Sequence, residues 1–164
     1  MPEGKSSIRD QISSIKIKII EYRWLKYQMN IDEIQAQIIE EFSALEDGFE
    51  KYTHIVNLGK SLAPLDKEYR TEENLISGCQ SNVWLKGEIK DKKIYFSADS
   101  DALITKGIIA LLLRVVNNQS PEDILNNSLY FIDQIGLSSN LSPVRGNGLF
   151  SVVNSIKSFA QKHF

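Results

Sequence analysis

The chain has 164 residues and a mass of 18.6 kDa, which suits one domain with a single core. A formal charge of −2 and a pI near 5.7 give no clustered basic footprint for nucleic acid, and no segment reaches the roughly 18 apolar residues that span a bilayer. With one cysteine the chain can build neither an internal disulfide nor a cysteine-rich metal site of its own, so the reading is a soluble protein of the reducing cytoplasm.

Residues 1–28 stand apart. They hold Lys5, Arg9, Lys16, Lys18, Arg23 and Lys26 against Glu3, Asp10 and Glu21, so this segment is +3 and the remainder is −5. Ile8, Ile12, Ile15 and Ile19 share a helical face, yet Ile15 to Ile19 also alternates like a strand, and the segment reads as a weakly helical appendage. It lacks the apolar stretch and cleavage site of an export signal. Met29 stands at the head of the well-patterned region and is an alternative start, which leaves residues 29–164 as the domain proper.

From Ile31 the pattern is helical, with Ile34, Ile38, Phe42 and Leu45 on one face until Asp47-Gly48 breaks it. A second helix runs from Phe49 to Leu62 and stops at Ala63-Pro64, where proline restricts its predecessor. Residues 64–74 read as loop. Ser81 to Glu88 and Ile94 to Phe96, separated by the polar turn Lys90-Asp-Lys-Lys, predict a hairpin. Asp99-Ser100-Asp101 offers cap oxygens to a helix from Ala102 to Asn117, apolar almost all round through Leu113 and so expected to cross the core. Ser120-Pro121-Glu122-Asp123 opens a further helix toward Ile135, closed by Gly136. Leu141 to Gly148 reads as loop from its Pro and Gly content, and Leu149, Val152, Val153, Ile156 and Phe159 predict a closing helix. The implied class is α+β, a small antiparallel sheet of about three strands with helices packed on one face.

Cys79 lies in Ser77-Gly-Cys-Gln-Ser81, just before the first strand, on a loop anchored to a rigid sheet. Reactive groups concentrate in such loops. Gly78 permits backbone angles closed to other residues and leaves room beside the sulfur. A lone cysteine is also often a small buried hydrophobe, and on these residues alone both readings stand.

The run Gly78-Cys-Gln-Ser-Asn-Val-Trp84 resembles the GCQS-x-VW signature of the SufE family of sulfur acceptors. Three further segments follow in that family's order: Asp99 to Ala110, Ser120 to Ile124, and Leu137 to Leu149. The resemblance covers about residues 30–164 and leaves residues 1–28 outside, in agreement with the compositional break. It implies a SufE/IscU-like fold and a carrier with no cofactor or metal of its own. In that role Cys79 takes a persulfide sulfur from a pyridoxal-phosphate-dependent cysteine desulfurase, SufS-like or a paralogue, stimulates that enzyme, and delivers the sulfur to a downstream iron–sulfur scaffold complex. Gly78, Gln80 and Ser81 become the supporting loop, and Arg145 a cation near the cysteine that would steady a thiolate or persulfide anion. Family members often carry Ser after this Arg, where this chain has Gly146. The implied chain is a monomer or homodimer without activity on its own.

Two other classes compete. An iron–sulfur scaffold needs several cysteine thiolates, which one cysteine cannot supply. A cysteine hydrolase needs an imidazole beside the thiol, and His54 and His163 are the two available. Trp84 and Tyr95 read as sheet-packing residues.

Overall fold

The structure, a computed structural model, describes residues 7–27, 29–137 and 143–164, with side chains for all of these except 20–27 and 143–147. In chain order it contains α1 (Ile8–Tyr27), α2 (Ile31–Ser43), α3 (Gly48–Ser61), a 3-10 turn (Lys67–Tyr69), β1 (Val83–Lys90), β2 (Lys93–Ser100), α4 (Leu103–Val116), α5 (Pro121–Asn126), α6 (Phe131–Gln134) and α7 (Pro143–Lys162). Three helix starts have a local cause. Asn30 and Glu33 close a capping box on α2, Asp47 caps α3 through the Glu50 N–H, and Ser120 caps α5 with Pro121 in its first turn.

The hairpin turn is made by Asp91 and Lys92, both with positive φ, the two-residue arrangement whose twist matches that of the strands. Register pairs Val83 with Ser100, Leu85 with Ala98 and Gly87 with Phe96, so these residues share one face. That face packs against α4 and α7, with Phe159 edge-on to Phe96 at 5.3 Å between ring centroids. The α+β class with helices on one face is what the sequence implies. The strand number differs: among the described residues the sheet has two strands, each edge extended by a single bridge, Leu75 to Trp84 and Ile94 to Gln119. A third strand does not develop because residues on each side pair briefly and then turn away. On the β2 edge, Asn117 forms two side-chain bonds with the Phe96 backbone, which satisfies groups that an edge leaves open.

Three sequence expectations are corrected. The helix expected from Pro121 to Ile135 is two, because buried Gln35 of α2 reaches into the break: its Nε2 donates to the Ser128 carbonyl at 3.1 Å and its Oε1 accepts from the Phe131 N–H at 3.2 Å. The loop expected over residues 141–148 is in part helix, since α7 begins at Pro143, a residue well suited to a first turn. Asp99 does not cap α4. It lies at the end of β2, 1% exposed, where its carboxylate accepts from the Leu65 and Ser100 N–H groups and pairs with Arg70 and Lys106. Only Ser100 acts near the helix start, its hydroxyl accepting from the Ala102 N–H at 3.2 Å.

Burial alone would raise the Asp99 carboxyl, but the Leu65, Ser100 and Lys106 bonds outweigh it and hold the pKa below its ordinary value. Its stabilising effect is therefore full above the unfolded value of about 4 and is lost as pH falls through the lower folded value. Asp99→Asn is expected to cost about 3 kcal/mol near neutral pH, the scale for removing one partner of a buried ion pair. Urea melts of both chains at descending pH check this: the gap should close in acid, and a constant gap would assign the loss to packing.

Candidate functional site

The cysteine loop is tied at its base to β1. The Ile76 N–H donates to the Val83 carbonyl at 2.8 Å and the Leu85 N–H to the Asn74 carbonyl at 2.9 Å, so residues 77–82 leave and return at nearly the same point. Gly78 has φ +89, and a Cβ there would sit 2.9 Å from the Ser151 hydroxyl of α7, so both conformation and space call for glycine.

Asn82 closes the loop. Its N–H and side-chain amide donate to the two carboxylate oxygens of Asp101 at 3.1 and 2.9 Å. Its carbonyl accepts from the Ser100 hydroxyl at 2.7 Å. Sequence reading missed this clamp because the partners are 19 residues apart, and the acidic run was assigned to helix capping.

Cys79 is half-buried in the wall of a hollow of about 310 Å³ between the loop, α4 and α7. Val83, Ile104, Ile108, Leu112, Leu149 and Val152 make its lining mainly aliphatic, and Ser81 and Thr105 contribute hydroxyls 3.2 Å apart. The thiol donates to the Gly148 carbonyl of α7 at 3.6 Å. Burial pushes its pKa up from the ordinary thiol value, so at rest the sulfur is held as the neutral, poorly nucleophilic form. Gln80 is exposed at the mouth and Ser81 is half-buried beneath it. Gly78, Cys79, Gln80 and Ser81 thus lie together on this loop.

Arg145 lies in the first turn of α7, three residues before Gly148; its side chain is outside the described residues. Neither imidazole is among the described residues lining the hollow. His54 Nε2 is bonded to Glu41, which also pairs with Arg114. Partial burial would raise the Glu41 carboxyl, but these two partners outweigh it and hold the pKa below its ordinary value. His163 bonds the Phe159 carbonyl through Nδ1 at 2.8 Å. Trp84 lies beneath the Arg70 guanidinium, and the Tyr95 hydroxyl donates to the Asn118 side chain. Among the described residues no group of three or more His, Cys, Asp or Glu is placed to hold a metal ion, and no helix is long and apolar enough to cross a membrane.

The clamp sets the expected reactivity of the loop. Asp101→Ala removes two bonds to a charged acceptor at an exposed position, worth about 1.4 kcal/mol together, a factor of about ten in the population of an opened loop. Alkylation of Cys79 by iodoacetamide at fixed pH is expected to accelerate by about that factor, while the thermal midpoint falls by only about 4 °C, at about 3 °C per kcal/mol. An unchanged alkylation rate would show that the clamp does not shelter the sulfur.

Comparison with known proteins places residues 36–160 in the family described as SufE, an Fe-S metabolism associated domain. An uncharacterized SufE-like protein of Rhizobium meliloti (strain 1021) is 35% identical over 130 residues, covering 76% of this chain and 93% of that one. SufE-like protein 1, chloroplastic/mitochondrial, of Arabidopsis thaliana is 34% identical over 118 residues, covering 71% of this chain and 32% of that longer one. An uncharacterized SufE-like protein of Synechocystis sp. (strain ATCC 27184 / PCC 6803 / Kazusa) is 32% identical over 125 residues, covering 76% of this chain and 79% of that one. The solution structure of a hypothetical protein from Thermus thermophilus superposes with a TM-score of 0.66 at 19% identity, covering 79% of this chain and 95% of that one, a likeness of fold.

Proposed function

The chain belongs to the SufE family of iron–sulfur metabolism, and from that membership we propose that it is a sulfur acceptor and carrier working through Cys79. The observation that carries this reading is the single thiol on a tethered loop over an apolar hollow, sheltered at rest and with no imidazole among the described residues around it.

In the proposed step the Cys79 thiolate attacks the outer sulfur of a persulfide held on a cysteine desulfurase. One S–S bond forms and one breaks, the outer sulfur moves to Cys79 with its proton, and the enzyme's cysteine leaves as a thiolate. No external oxidant or reductant enters. Repeating the exchange on a downstream scaffold delivers the sulfur, and clearing the donor's cysteine frees the desulfurase for another turnover. The donor is a pyridoxal-phosphate-dependent desulfurase of the SufS type or a paralogue, and the setting a reducing cytoplasm, in which one free thiol remains unpaired.

The raised thiol pKa supports a two-position loop: inward, where burial protects the sulfur, and outward, where water or the partner ionises it. Arg145, one helical turn from the Gly148 carbonyl, is proposed as the cation that steadies the thiolate or persulfide anion. The test is intact-protein mass spectrometry after incubation with an active desulfurase and cysteine. A gain of about 32 Da per sulfur atom, removed by a thiol reductant, is expected from persulfide exchange. Its absence with a desulfurase turning over cysteine would refute the reading.

A further inference from the structure

The Cys79 hollow has one polar element that the transfer step itself does not use. Ser81 of the cysteine loop and Thr105 in the first turn of α4 both line it, and their hydroxyl oxygens stand 3.2 Å apart. In such a pair one hydroxyl donates to the other, and the second hydrogen is left for a third group. Among the described residues lining the hollow there is no Asp, Glu, His, Lys or Arg, and Gln80, whose amide is also a donor, is exposed at the mouth.

Loading changes what the sulfur needs. The resting thiol donates to the Gly148 carbonyl at 3.6 Å. A persulfide is a stronger acid than the thiol it is built on, and its anion has no hydrogen to give, so the same carbonyl oxygen repels it. The outer sulfur stands about 2 Å beyond Sγ, the length of an S–S bond, and the hollow of about 310 Å³ has room for that atom. An anion among aliphatic side chains is costly unless donors meet it. The two hydroxyls are the donors this lining offers.

We propose that the Ser81 and Thr105 hydroxyls receive the outer sulfur of the loaded Cys79 and hold the persulfide inward as its anion. This rests on the carrier reading of Cys79 and extends it to the loaded state. Whichever hydroxyl donates to the sulfur, the other orients it, so the two act as a unit. The contact exists only with the loop inward, and a loaded loop is therefore drawn toward α4 more strongly than an empty one.

A titration of the loaded chain tests this, with the sulfur placed on Cys79 without a desulfurase. Cys79 is first converted to its mixed disulfide with thionitrobenzoate. Hydrosulfide then attacks the Cys79 sulfur: one S–S bond forms, one breaks, and thionitrobenzoate departs as the more acidic thiol. After desalting, the near-ultraviolet absorbance of the persulfide anion is followed against pH. Thr105→Val keeps the branched shape and removes the hydroxyl. It is expected to raise the midpoint by about one pH unit, a tenfold loss of anion below it, the scale of one hydrogen bond to a charged group. Thr105→Ser is expected to restore the native midpoint, and Ser81→Ala to raise it as Thr105→Val does. The charged neighbours on the α4 side, Asp101 and Lys106, are engaged by Asn82 and Asp99, and Arg145 is common to all these chains. A midpoint unmoved by Thr105→Val, or raised and not restored by Thr105→Ser, overturns the inference. A native chain that takes sulfur from hydrosulfide but none from an active desulfurase would sink the carrier reading, while the titration would still judge the hydroxyl pair.

Discussion

A chain carrying Cys79→Ser is expected to take up no sulfur from an active desulfurase while keeping its fold. The loss should be complete, because the chain has one cysteine and a serine hydroxyl cannot form or break a disulfide bond at sulfur. The fold should survive because the loop is held by Ile76, Asn82 and Gly78, while the sulfur contributes a single long bond to the Gly148 carbonyl. Unchanged near- and far-ultraviolet circular dichroism would separate lost chemistry from lost structure, and residual loading of the serine variant would remove Cys79 from the mechanism. On the native chain alone, the iodoacetamide rate is expected to rise with pH and to reach half its limit above the ordinary thiol value of about 8.5, since burial disfavours the thiolate. If Arg145 steadies the anion, Arg145→Ala moves that midpoint higher still. An unchanged midpoint would remove the guanidinium from the account.

The second large effect concerns the scaffold. Gly107→Ala is expected to destabilise the chain by about 3 kcal/mol or more, at the upper end of what overpacking usually costs. Helix propensity argues the other way, favouring alanine over glycine by about 1 kcal/mol in a helix interior, so the sign of the result discriminates. Packing decides it: a Cβ at Gly107 would stand 1.9 Å from the Ile55 carbonyl oxygen, which belongs to the backbone of α3 and cannot rotate aside. Gly59 occupies the reciprocal position, where a Cβ would meet the Leu103 carbonyl oxygen at 2.4 Å. The α3–α4 crossing thus depends on glycine from both helices, and α4 forms one wall of the cysteine hollow. Thermal unfolding should show a midpoint lower by roughly 10 °C, at about 3 °C per kcal/mol for a domain of this size. A midpoint equal to or above that of the native chain would mean that the helices separate at little cost.

Several features were legible because they depend on near neighbours. The hairpin turn needed only polar residues between two β-rich runs, α2 and α3 showed in their periodicity on either side of the Asp47-Gly48 break, and the start of α5 lay in the Ser120 cap and Pro121. Gly78 was marked by its type, and its positive φ agrees. Arg145 was reached only through the motif that contains it. The acidic run at Asp99 misled because an Asp before a helix fits a cap locally; its two carboxylates instead serve partners at Leu65 and Asn82.

The amino-acid sequence by itself determined the periodic helices, the hairpin, the single thiol and the motif around it, since each is written in residues a few positions apart. Only the tertiary structure decided that Gln35 splits the helix before Phe131 from a distance of 96 residues, that Asp99 is a buried ionic centre, and that the Cys79 thiol faces a carbonyl 69 residues away in an aliphatic hollow that keeps it neutral. Burial and charge state are properties of what surrounds an atom, and those surroundings come from segments that meet only when the chain has folded.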